Sequence, residues 1–324
     1  MATYKEIHGT GIVKVTTDPT NPVNGQVWYN STDQALKGFT SNPAGTWSTG
    51  GALNTSRDYP GGAGASRTAA LAFGGGPPPA PTAIGNTEQY NGTSWTELND
   101  LNTSRALLGG AGTYTSAIAS GGDGYSGTSE SWNGTSWTNI SASPNTGHSQ
   151  AGSGADSTNA LFVGGSPASA NNSASHWNGS SWTEVADINT ARSSGAGIGK
   201  TYTASLFAGG GNSPSSFLTI VESFDGSTWT EITDINTGRQ RPGGTGTSTS
   251  GIIFGGYLPA NTGATESWNG SAWTEENDLN TARQTGAPAG ADNTNALLAG
   301  GNPSTTATEE WVAPTTTTVT FTTT

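Results

Sequence analysis

Cysteine is missing altogether from the 324 residues, which excludes a disulfide framework, a thiolate metal site and a cysteine nucleophile. Charge is scarce as well: charged residues make up 10% of the chain, against ~25% in an ordinary globular protein. What charge there is leans acidic, with 23 Asp and Glu against 11 Lys and Arg and a net charge of −12. A nucleic-acid partner needs clustered Lys and Arg facing its phosphates, so none is expected. Histidine is limited to His8, His148 and His176, which makes no metal triad. No stretch approaches the ~20 apolar residues of a membrane helix, and Met1–His8 lacks the apolar run of a signal peptide. The expectation is a chain neither inserted in a membrane nor exported by an N-terminal signal. Long aliphatic helix formers are thin on the ground, while Gly alone accounts for 49 residues. Gly, Ser, Thr and Asn all disfavour helix interiors, so the chain reads as all-β.

What is present is repetition. A di-glycine follows a short apolar run at Gly74-Gly75, Gly121-Gly122, Gly164-Gly165, Gly209-Gly210, Gly255-Gly256 and Gly300-Gly301. After it comes an aromatic leading into a turn: Tyr90-Asn91-Gly92, Trp132-Asn133-Gly134, Trp177-Asn178-Gly179, Phe224-Asp225-Gly226 and Trp268-Asn269-Gly270, with Trp311 marking a degenerate sixth copy. A second tryptophan follows at Trp95, Trp137, Trp182, Trp229 and Trp273, and Trp47 holds the same place ahead of the first full copy. A polar loop then runs to an arginine at Arg57, Arg105, Arg192, Arg239 and Arg283, with His148 in the third copy.

Asn-Gly between aromatic residues is a strong hairpin signal, because the turn needs positive φ at its centre. Aromatics on either side of such a turn face the same way, so Trp132 and Trp137 should be cross-strand neighbours. The apolar runs Ala69 to Phe73, Leu161 to Val163, Leu206 to Ala208 and Ile252 to Phe254 read as strands buried on both faces. The Gly-rich stretch after each arginine supplies one more strand. Four antiparallel strands per copy, six times over, is the arithmetic of a six-bladed, alternatively seven-bladed, β-propeller of four-stranded antiparallel blades. Trp47 would then supply the outer strand of the last blade and close the ring.

The order of apolar run, Gly-Gly, aromatic, Trp and loop Arg resembles the kelch family of β-propellers, over residues 45 to 312. Kelch-like propellers serve as binding modules, scaffolds and occasional oxidases, so the resemblance implies a fold more than a function. The copper oxidases of that class use a Tyr–Cys crosslink, which this cysteine-free chain cannot form. The first copy departs from the pattern with Pro77-Pro78-Pro79, and the last lacks the Asn-Gly turn.

The expected organisation is an N-terminal extension with a β-hairpin (1–44), the propeller (45–313) and a Thr-rich extended tail (314–324). The segment from Asp18 to Phe39, with Gly25-Gln26-Val27-Trp28-Tyr29-Asn30 and Leu36-Lys37-Gly38-Phe39, resembles short modules of virion structural proteins from tailed phages of marine and cyanobacterial hosts. The tail favours extended structure and places Val319 and Phe321 on one face of a strand. Free, it could add to the sheet edge of a neighbouring molecule; the plain alternative is a disordered or self-docked tail.

Other patterns resolve into turn chemistry. Ser194-Gly195-Ala196-Gly197-Ile198-Gly199-Lys200-Thr201 looks like a phosphate-binding loop but lacks its first Gly and a following helix. Asp225-Gly226 resembles an Asp-box, yet the other copies use Asn, so a turn role suffices. Asp100, Asp187, Asp234 and Asp278 recur five residues before the loop arginine and suggest an Asp–Arg bridge, a cation site or a turn cap. Arg67 and Arg241 fall outside the repeated loop position.

The function expected is that of a non-enzymatic structural and interaction protein, without cofactor or metal. It would be a phage virion component or extracellular assembly subunit that self-associates through propeller faces and terminal strands, up to a stacked filament. The partners would be copies of itself or other structural subunits, with Trp28, Tyr29, Phe39, Val319 and Phe321 as contacts. The alternative is a carbohydrate-binding adhesin of a tail fibre or cell surface, whose exposed Trp and Tyr stack on a glycan.

Overall fold

The computed structural model describes residues 12–20, 22–23, 25–42, 45–76, 82–123, 127–147, 150–166 and 171–321. The described chain is all-β, with no helix and seven four-stranded sheets, beside a two-stranded hairpin at Tyr257–Leu258 and Ala260–Asn261. It divides into two compact units, one running from Thr46 to Val312 and the other combining the two chain ends. His8, His148 and the Pro77-Pro78-Pro79 run lie outside the described residues.

The larger unit holds six four-stranded sheets, each antiparallel throughout, and the two-stranded hairpin. Their innermost strands are Gly61–Ser66, Gly109–Thr113, Ala151–Asp156, Ala196–Thr201, Gly243–Thr247 and Ala287–Asp292, which number blades 1 to 6. Each inner strand packs against the next, and that of blade 6 packs against that of blade 1, so the ring is closed. In blade 6 the outer strand is Thr46–Thr49, paired antiparallel with Thr308–Val312 so that Trp47 faces Trp311. An early strand thus completes the last sheet, as the position of Trp47 suggests.

The abundance of glycine has a packing cause. A Cβ on Gly110 would come within 2.4 Å of Gly62 O, one on Gly152 within 2.3 Å of Gly110 O, and one on Gly197 within 2.5 Å of Gly152 O. The inner strands therefore touch backbone to backbone around the axis, and a side chain at these places would push the blades apart. Between the blades, the short apolar runs are sealed from solvent: Leu71, Phe73, Ile118, Leu161, Phe162, Phe207, Ile252 and Phe254 are all buried. Each of the six di-glycines that follow these apolar runs has both residues at positive φ, for example 65° and 88° at Gly74 and Gly75, which only glycine adopts at low cost.

The smaller unit contains the seventh sheet, in the order Val13–Val15, Val27–Asn30, Ala35–Asn42, Thr315–Phe321. Its first pair of strands is parallel and the rest antiparallel. The N-terminal extension and the C-terminal tail, separate in the sequence-based division, share this sheet. The tail does not hang free: one of its edges is hydrogen-bonded in cis along Ala35–Asn42, from Leu36 opposite Phe321 to Asn42 opposite Thr315.

Candidate functional site

The repeated residues build the framework around the axis. Each hairpin aromatic faces the tryptophan across its turn, with ring centroids 5.0 Å apart for Tyr90–Trp95, 5.3 Å for Trp132–Trp137 and Trp177–Trp182, 4.8 Å for Phe224–Trp229, 5.2 Å for Trp268–Trp273 and 5.5 Å for Trp311–Trp47. The two members do different jobs. Where the first is a tryptophan it donates its indole N–H within its own blade, as Trp132 does to Tyr114 O at 3.0 Å and Trp268 to Ser248 O at 2.9 Å. The second reaches the preceding blade: Trp137 Nε1 donates to Thr87 Oγ1, Trp95 to Thr308 Oγ1 and Trp47 to Thr265 Oγ1, at 2.9, 2.9 and 3.1 Å. All these tryptophans are buried except Trp182, which is partly exposed. The carbohydrate reading called for exposed blade tryptophans, and nearly all of them are committed to packing.

Each loop arginine finds a carboxylate, but not the nearby aspartate. Arg57 pairs with Glu88, Arg105 with Glu130, Arg192 with Glu222, Arg239 with Glu266 and Arg283 with Glu309, all deeply buried. The suggested Asp–Arg bridge is therefore corrected to a Glu–Arg pair: Asp100, Asp187, Asp234 and Asp278 are exposed, while the arginines are buried against glutamates of the third strands. Each glutamate also takes backbone donors from that loop: Glu130 accepts from Asn102 N and Asn102 Nδ2 at 2.8 and 2.9 Å, and from Thr103 N at 3.2 Å. Burial pushes the guanidinium pKa of Arg105 down, and the facing Glu130 charge opposes it. A buried pair of this kind holds only when its remaining donors and acceptors are also engaged.

The third copy loses both members. Where the others have Glu it has Ser175, and its loop ends in His148 rather than Arg. Asn145 Nδ2 takes over the carbonyl contacts instead, donating to Gly164 O at 3.0 Å and Ser173 O at 3.3 Å. In blade 1 the equivalent carbonyls, Gly74 O and Asn86 O, are held by Arg57 Nη1. His176 stacks on Tyr202 with centroids 3.7 Å apart, and burial lowers its pKa.

The positions that do not repeat chemically lie at the axis. Two residues past each arginine the chain turns through the left-handed region, at Tyr59, Leu107, Ser194, Arg241 and Thr285, with φ of 55, 60, 59, 55 and 58°. Such conformations cost non-glycine residues about 1–2 kcal/mol each and tend to gather at functional places. Backbone bonds link them from blade to blade: Leu107 N to Tyr59 O at 3.1 Å, Arg241 N to Ser194 O at 2.6 Å and Thr285 N to Arg241 O at 3.2 Å. The backbone is thus repeated while the side chains are five different kinds. They rim a cavity of about 110 Å³ at the mouth of the axial channel.

Deeper along the same strands lies a second space of about 40 Å³, lined mostly by glycines and by Lys200. Lys200 crosses the axis from blade 4: its Nζ donates to Gly290 O of blade 6 at 2.7 Å and lies 3.4 Å from Gly64 O of blade 1. Burial lowers its pKa to about 8, against a smaller opposing pull from Asp292. The apparent phosphate-loop lysine is therefore a side chain across the channel, on a strand rather than before a helix. Arg67, the other arginine outside the repeat, pairs with Glu310 at 3.3 Å.

In the terminal sheet the five residues expected as contacts divide. Trp28 is fully buried and donates its indole N–H to Asp18 Oδ1 at 2.9 Å; Asn30 and Lys37 bind the same carboxylate. Trp28 is thus internal, while Tyr29 and Phe39 are partly buried. Val319 and Phe321 are 40% and 50% exposed on the edge strand. Among the described residues, no group of three or more His, Asp or Glu side chains is placed to hold a metal ion.

No known family model and no curated protein matches the chain. Among solved structures, one described as "Structure of YjhT" is similar with a TM-score of 0.62 at 14% identity, covering 82% of this chain and 99% of that one. At this identity the likeness shows the fold alone. The chain has a β-propeller-like, all-β fold.

Proposed function

We propose that the chain is a non-enzymatic structural and interaction protein in which the kelch-like propeller is the rigid body and the terminal sheet the attachment surface for another copy. The observation that carries this reading is where the apolar side chains are left uncovered. The exposed large hydrophobic residues among those described are Val13, Val23, Val27, Val319 and Phe321, and all belong to the unit made by the chain ends. Thr315–Phe321 is also an edge strand, bonded on one side only. It carries no charge and no proline, the devices by which soluble proteins usually protect such edges. Edge pairing between two copies leaves the ring itself unchanged. The setting, a virion or another extracellular assembly, rests on the likeness of the Asp18–Phe39 segment to phage structural modules.

Size-exclusion chromatography with light scattering, together with electron microscopy of the whole chain, tests it. The expected result is a homo-oligomer or stacked particle that reverts to monomer when Val319 and Phe321 are both replaced by Lys. Toroids of monomer mass at high protein concentration would overturn it.

A further inference from the structure

We propose that the mouth of the axial channel is a binding site for a small molecule bearing an oxyanion, a carboxylate or a phosphate, held by Arg241. The starting point is an inequality among arginines. Arg57, Arg67, Arg105, Arg192, Arg239 and Arg283 each pair with a glutamate. Arg241 contacts no carboxylate among the described residues. Its Nη1 donates to the Tyr59 hydroxyl at 3.3 Å and to Gln284 Oε1 at 3.2 Å, and its Nε is buried without a hydrogen-bond partner. The guanidinium also lies against the Tyr59 ring, 5.6 Å from its centroid. With Nη1 turned to neutral groups and Nε closed off from solvent, the Nη2 amino group is the arm left for a ligand, and its charged N–H donors suit the oxygens of a carboxylate or phosphate.

The surroundings favour the same sign. In a molecule of net charge −12, neither axial cavity is lined by an Asp or Glu, and each is lined by one cation, Arg241 above and Lys200 below. The carboxylate nearest the rim, Asp58, is already engaged: Tyr59 N donates to it at 2.9 Å, Asn302 Nδ2 at 2.7 Å, and Thr285 Oγ1 donates to its Oδ1 as well. A positive pocket inside an acidic body concentrates anions locally. Its volume of about 110 Å³ suits a small acid or a phosphate group. The left-handed backbone that rims it pre-sets the positions of Tyr59, Arg241 and Thr285 before any ligand arrives.

The test uses the whole chain, with succinate and inorganic phosphate titrated separately against chloride at constant ionic strength. Binding is read from the backbone amide shifts of Tyr59, Leu107 and Thr285. The expected result is saturable shifts with one or both probes, the stronger probe identifying the oxyanion. Affinity should fall about ten-fold or more in Arg241→Asn, since bonds to a charged group are lost, while Arg67→Gln binds as the parent does. Asn tolerates positive φ; should Arg241→Asn not fold, Tyr59→Phe decides, with an affinity several-fold weaker. Shifts that do not saturate, or equal affinity in the Arg241 and Tyr59 variants, would overturn the proposal.

Discussion

Arg105 Nη1 lies 2.7 Å from Glu130 Oε1 in a site closed to solvent, and the same pair recurs in every blade but the third. There both partners are missing together, Ser175 standing for Glu and His148 for Arg. A lone buried charge is far costlier than none, which accounts for the joint loss.

Glu222→Ser alone should therefore destabilise the chain by about 3–5 kcal/mol, because it leaves Arg192 charged and unpaired. The double variant Arg192→His with Glu222→Ser, which imitates the third copy, should lose clearly less than the two single variants together. Urea unfolding of the four proteins measures the coupling; additivity would mean that the charges do not communicate.

Gly110→Ala should be among the most damaging single-methyl changes. Its Cβ would meet Gly62 O at 2.4 Å, and the obstacle is the backbone of the neighbouring blade rather than a movable side chain. A cost of about 1–3 kcal/mol or more is expected for such overpacking, read as a lower urea midpoint. A midpoint equal to that of the parent would mean that the inner strands have room to separate.

Lys200 gives a pH dependence of defined sign. Unfolded, it keeps its proton to about 10.5; folded, it releases it at about 8. Between those values the unfolded state holds more protons, so this residue makes stability rise as pH rises from 8 to 10.5, by about 3 kcal/mol in all. Lys200→Met should remove that slope and be more stable than the parent at pH 7. Denaturation curves across this range, parent against variant, would refute the assignment if the two slopes coincide.

In the terminal sheet the bonds from Lys37, Asn30 and Trp28 hold the Asp18 carboxyl down at about 2, from 3.8. The contribution of Asp18 is thus present above pH 3.8 and lost as pH falls towards 2. The indole N–H resonance of Trp28 should titrate near the lower value, and the titration should vanish in Asp18→Asn. A midpoint at 3.8 would show the cluster to be unformed in solution.

The ring was legible because its period is strict: the Trp pairs and the closing role of Trp47 follow from spacing and turn chemistry. The glutamates carry a fainter signal of their own. Glu88, Glu130, Glu222, Glu266 and Glu309 each stand two residues before the hairpin aromatic, and Ser175 replaces Glu in the one copy that lacks the arginine. The aspartates five residues before four of the five loop arginines are near in sequence only, whereas the true partner arrives from the third strand of the following blade. The axial residues escaped for the opposite reason. Tyr59, Leu107, Ser194, Arg241 and Thr285 share a backbone conformation but no side-chain type, so only coordinates bring them together. The pairing of Thr315–Phe321 with Ala35–Asn42 joins segments nearly a full chain length apart, and composition alone cannot specify it.

The closure of the last blade carries a mechanical consequence. Thr46 and Val312 are direct cross-strand partners, so the polypeptide enters and leaves the ring at adjacent points. A pull applied through both connections draws the two strands the same way, and the load is carried by two covalent backbones in parallel rather than by the hydrogen bonds that zip them. Tension between the chain ends and the ring would thus leave the seam of the toroid intact.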